Sequence, residues 1–169
     1  MRLSLTRRTL VAALAAAPLL SACGFRLRGH FQAPFDTLYL QLGENTRLGG
    51  YLKRLIEAGS NVRCVASAKE AEAVLEFLRI ERSRDILSIN DAGRAREYEL
   101  TLTIEFRVTA PDDRFEFVPA TTLVTSRDLT YSESEFLSRE TEEEVLYRDM
   151  ENDLSAQLVR YLEASRTPK

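Results

Sequence analysis

The most regular stretch of the chain runs from Arg96 to Ala110. Tyr98, Leu100, Leu102, Ile104, Phe106 and Val108 alternate there with Glu99, Thr101, Thr103, Glu105, Arg107 and Thr109. A period of two predicts a strand with one face buried and one face wet. Asn90-Asp91-Ala92-Gly93 just before it is a turn signal, so the apolar residues from Val74 to Arg82 and onward toward Asn90 are expected to fold back on it as a hairpin. Pro111-Asp112-Asp113 makes the next turn, and Phe115–Val118 with Ala120–Leu129 gives a further strand interrupted at Pro119, as at a bulge or an edge. Upstream, Leu38, Leu40 and Leu42 alternate within Phe35–Leu42 and predict a strand ended by Gly43.

Two segments carry the helical period instead. Leu48, Leu52, Leu55 and Ile56 follow a possible N-cap at Asn45 or Thr46 and stop at Gly59. From Thr141 onward Val145, Leu146, Met150, Leu154, Leu158, Tyr161 and Leu162 form the stripe of a long amphipathic helix, with Thr141 and Glu144 at capping-box spacing. Asn61–Val65 reads as briefly extended and Ser67–Ala71 as a turn. The order predicts an α+β fold: a two-layer sandwich, a mostly antiparallel four-stranded sheet with two helices packed on one face, as a single domain over residues 35–165 with residues 166–169 fraying. The opposite face, with Thr101, Thr103, Glu105 and Arg107, is left to water or a polar partner.

The first thirty residues follow a different logic. Arg2, Arg7 and Arg8 precede an apolar run, Leu10–Leu20, that suits a signal peptide and is too short to span a bilayer. Leu20-Ser21-Ala22-Cys23 then spells a lipoprotein signal over residues 1–22, making Cys23 the expected site of S-diacylglycerol and N-acyl attachment, with residues 23–34 as the tether. The Arg7-Arg8 pair leaves the Sec and twin-arginine routes both open. Several acyl chains hold a soluble domain firmly, each buried methylene contributing about 0.8 kcal/mol.

Charge and composition narrow the chemistry. The whole chain carries a formal charge of −3, and its signal holds three arginines and no acid, so the mature protein is more acidic still and a poor match for nucleic acid. The single histidine, His30, lies in the tether, so neither a nucleophile-base pair nor a metal site can be assembled from the composition, and no phosphate-binding glycine loop is present. Cofactors other than the lipid on Cys23 are not expected. Cys64, left without a partner, reads as a small buried hydrophobe. Arg82, Arg84, Arg94 and Arg96 flank the hairpin, and Arg139 precedes the long helix. Guanidinium groups there either solubilise an acidic protein or bind phosphate.

Cys23-Gly24-Phe25-Arg26-Leu27-Arg28-Gly29 resembles the mature start of the LptE family of lipopolysaccharide-assembly lipoproteins, and Glu97-Tyr98 through Val108 resembles that family's alternating strand. The resemblance implies a non-enzymatic protein of the outer membrane, lipid-anchored on the periplasmic side, that plugs and helps assemble the LptD β-barrel and binds lipopolysaccharide in transit. Gly24, in place of a retaining Asp, agrees with outer-membrane sorting. In that setting Arg94, Arg96 and Arg139 are the residues expected to meet lipopolysaccharide phosphates. Thr101, Thr103, Glu105 and Arg107 are expected to contact the barrel. A general outer-membrane adaptor, pilotin-like or peptidoglycan-associated, shares the anchor and the fold and is the alternative.

Overall fold

The structure, a computed structural model, describes residues 31–130 and 139–167, with the side chains of residues 139 and 140 left aside. Cys23, His30, the signal and most of the tether lie outside the described residues. The elements are β1 (Thr37–Leu40), α1 (Arg47–Gly59), β2 (Arg63–Val65), a 3-10 turn (Ala68–Glu70), β3 (Ala73–Ile89), β4 (Ala95–Thr109), β5 (Glu116–Thr130) and α2 (Arg139–Glu163).

The fold is α+β, with a five-stranded mixed sheet in the order β2-β1-β3-β4-β5. The four-stranded, mostly antiparallel sheet expected from the sequence is corrected in two ways. The extended run after α1 is a full member, β2, and β1 pairs in parallel with both β2 and β3. Parallel pairing follows because α1 forms a crossover between β1 and β2, returning the chain to the same end of the sheet. β1 also ends at Leu40 rather than Leu42. The β3–β4 hairpin and the β4–β5 pairing are antiparallel as expected.

Local chemistry explains the boundaries. The Thr46 hydroxyl accepts from the Gly49 amide at 3.0 Å and so supplies the N-cap of α1. Asn90 accepts from the Ala92 and Arg94 amides, and Gly93 turns back at φ +73°, closing the hairpin. Asp113 makes the equivalent left-handed turn at φ 55°, a conformation that aspartate tolerates better than most residues. β3 carries an extra residue at Leu78 and another at Leu87, where its register against β4 shifts.

Leu100, Leu102, Ile104, Phe106 and Val108 all point to one face of β4 and are buried. Leu48, Leu52 and Ile56 of α1 join Met150, Leu154, Leu158 and Leu162 of α2 in the same core, so both helices cover that face. Burying such side chains contributes about 1.5–3 kcal/mol each.

Candidate functional site

Both ends of the domain chain meet at one end of the sheet. The Phe31 amide donates to the Gly59 carbonyl at 3.0 Å, Phe35 packs edge-on against Phe117 at 5.0 Å, and the Arg166 amide donates to the Phe117 carbonyl. Phe31, the first described residue, is thus held at this end. The Asn90–Arg94 turn and the last residues of β5 lie at the other end. β3 alone has 17 residues, so roughly 50 Å separates the two ends at about 3.3 Å per residue.

The arginines around the hairpin divide into two groups. Arg82 donates to Glu144 at 2.9 Å and to Glu151 at 2.7 Å, with its guanidinium 4.6 Å above the Tyr147 ring. Arg84 donates to Glu143 at 3.1 Å and stacks 5.2 Å from the Tyr98 ring. These two clamp α2 onto β3 and line a polar cleft with Ser83 and Tyr147. The Tyr147 hydroxyl donates to the Ser83 carbonyl at 2.8 Å, and burial foremost, then nearby Glu143, raises its pKa. The expected capping box is corrected accordingly. α2 begins at Arg139, which places Thr141 inside the helix, and Glu144 is taken by Arg82 rather than turning back to a cap.

The second group lies beyond α2. Arg94 sits in the hairpin turn and Arg96 where β4 slips register, both exposed; Arg96 has no ion pair among the described residues. Arg139 opens α2, a helix of 25 residues and so about 37 Å, which stops short of the hairpin turn. The structure therefore places Arg94 and Arg96 together at one end of the sheet and does not bring the backbone of Arg139 as far as that end. Ile86, Leu87 and Ile89 beside them are 59%, 52% and 64% exposed, giving this end an apolar as well as a basic character.

The face of the sheet opposite the helices is built in rows that only the register reveals. Arg79, Glu105 and Thr122 form one row, Glu81, Thr103 and Val124 the next, then Ser83, Thr101 and Ser126. Thr101, Thr103, Glu105 and Arg107 thus share the open face, each half-buried between neighbouring strands. Arg107 is held by Glu76 at 2.6 Å and lies 3.7 Å from Asp113, and the hydrogen bond to Glu76 raises its pKa. Nearer the arginine end, Asp85, Glu99 and Asp128 stand side by side on three strands, a row that sequence reasoning missed because it exists only once the strands are paired.

Among the described residues, no group of three or more His, Cys, Asp or Glu is placed to hold a metal ion, and no helix is long and apolar enough to cross a membrane. Cys64 is half-buried against the core, and burial foremost, aided by Glu57, pushes its thiol up to about 12.

A family model described as "LptE: Lipopolysaccharide-assembly" matches residues 35–162, the greater part of the chain. The chain belongs to the LptE family. Two relatives named LPS-assembly lipoprotein LptE are each 29% identical to it. The protein from Photorhabdus laumondii aligns over 92% of this chain and 85% of its own length, and that from Pectobacterium atrosepticum over 91% and 83%. Among solved structures, lipoprotein B from Nitrosomonas europaea superposes with a TM-score of 0.68 at 30% identity, covering 83% of this chain and 91% of that one. The rare lipoprotein B of Shewanella oneidensis has the same fold, with a TM-score of 0.64 at 22% identity over 76% of this chain and 95% of its own. Membership in LptE places this chain among non-enzymatic envelope lipoproteins of lipopolysaccharide assembly.

Proposed function

We propose that the protein is acylated at Cys23, anchored at the periplasmic face of the outer membrane, and seated in the lumen of the LptD β-barrel, which it plugs and helps to assemble. The observation that carries this reading is the molecule's polarity: Phe31 at one end and the hairpin end with Arg94 and Arg96 at the other, roughly 50 Å away. The apolar belt of an outer-membrane barrel is about 25 Å tall. A domain held by its Phe31 end at the inner leaflet is long enough to carry its arginine end across that thickness. Barrel interiors are polar, and the open sheet face offers hydroxyls and paired charges to match, with Thr101, Thr103, Glu105 and Arg107 against the wall.

Toward the far end Arg94, Arg96 and Arg139 meet lipopolysaccharide phosphates, with Ile86, Leu87 and Ile89 on the neighbouring part of β3 for acyl chains. Reversing the charge of all three arginines is expected to weaken lipopolysaccharide binding at least tenfold at low salt without changing the unfolding midpoint. Unchanged binding by a folded triple variant refutes this assignment.

A further inference from the structure

A cleft of about 440 Å³ opens between the C-terminal ends of α1 and α2, at the end of the domain that holds Phe31. Its lining is apolar at Phe31, Leu55, Ala58, Ala156 and Val159, and the exposed Arg160 and Glu163 supply its charge. The volume falls within the roughly 300–1,000 Å³ of small-molecule sites. Arg160 and Glu163 are three residues apart on α2 and so lie on the same side of the helix. Both are exposed, and neither makes an ion pair or a side-chain hydrogen bond among the described residues.

Position and chemistry restrict the occupant. Phe31 is eight residues after Cys23, a covalent reach of at most about 29 Å, so acylation at Cys23 keeps this end close to the membrane surface. An apolar trough suits an acyl chain. A lining with one exposed cation and one exposed anion suits a headgroup that also bears both charges: a phosphate for the guanidinium of Arg160 and an ammonium for the carboxylate of Glu163. A purely anionic headgroup leaves Glu163 facing like charge.

We infer that the α1–α2 cleft holds one acyl chain of a zwitterionic glycerophospholipid with a primary-amine headgroup, its phosphate on Arg160 and its ammonium on Glu163. Bound there, the lipid fixes how the domain stands on the membrane, which eight residues of tether alone do not. The inference rests on anchoring at Cys23 and is independent of the barrel.

The test uses the full-length acylated protein in its own membrane, with a photoreactive benzoyl-phenylalanine in place of exposed Ala58. On irradiation, mass spectrometry is expected to find an adduct of one aminoethyl-phosphate glycerolipid. Arg160→Glu is expected to lower its yield at least fivefold, and the same probe at Val124 on the open sheet face to give none. Adducts with the chain's own Cys23 lipid, lipopolysaccharide, another protein or a second copy in place of the glycerolipid overturn the inference. Equal yields in the Arg160 variant do so too. Membrane fractionation of the same sample separates the two failures: a membrane-bound protein without the adduct refutes the cleft, and a protein lost from the membrane refutes the anchoring beneath it.

Discussion

Arg82 on β3 reaches across the face of the sheet to Glu151 on α2, a carboxylate 9% exposed, and bonds to it at 2.7 Å. Arg47, at the start of α1, pairs with the other oxygen of the same group, so one buried acid ties both helices to the hairpin. Burial lowers the Arg47 pKa against the pull of neighbouring acids. Truncating a partner of a buried acid leaves it under-compensated, whereas an exposed pair contributes little.

Arg82→Ala is therefore expected to lower the unfolding free energy by about 2 kcal/mol, and Arg84→Ala, whose partner is more exposed, by less than about 1 kcal/mol. Urea denaturation of the two variants checks the ranking. Equal losses contradict the hub at Glu151.

Gly49 is a second point of tight constraint. A Cβ there meets the Gly43 carbonyl oxygen at 2.5 Å and that of Leu42 at 2.8 Å, backbone atoms that cannot swing away. At Gly59, the last residue of α1, the nearest atom is 3.9 Å off. Gly49→Ala is expected to destabilise by about 1–3 kcal/mol, and Gly59→Ala to be neutral or to stabilise by up to about 1 kcal/mol. Thermal melts of both distinguish steric exclusion from helix propensity.

Cys64 gives a signed dependence on pH. Its thiol stays protonated up to about 12 in the folded protein and ionises near the ordinary cysteine range when unfolded. The folded state then binds the extra proton between those values, so this contribution is complete below about pH 8.5 and is lost as pH rises through the folded value. Cys64→Ala is expected to lose less stability than the parent across that window. At pH 8 the native thiol should react with a maleimide at least 100-fold more slowly than the urea-unfolded chain; equal rates contradict the burial.

Much of this fold was legible because its signals are periodic. β4 shows six apolar residues at strict alternation, and α1 and α2 carry unbroken stripes, so each forms over its patterned residues, with α2 starting at Arg139, ahead of the expected Thr141 cap. β2 was not legible as a strand: Arg63, Cys64 and Val65 are too few to show a period, and their place is set by the crossover through α1. Gly49 was invisible for a similar reason, since its need arises from a loop folding back on the first helical turn. For Arg82 and Arg84 the sequence leaves solubilising and phosphate-binding roles both open, because the acids that neutralise them lie about 60 residues away. Arg94 and Arg96 do share the hairpin end, because the Asn90–Arg94 turn is fixed by local signals, whereas Arg139 starts a helix that stops short of it.

The proposed seat of this chain is the inside of a barrel. The most direct measurement is affinity purification of the tagged, acylated protein from its own outer membrane in mild detergent, with the co-purifying proteins identified and quantified. A stable one-to-one complex with a large β-barrel of the LptD type is expected. Recovery of the lipoprotein alone, or with cell-wall or secretion components, contradicts it.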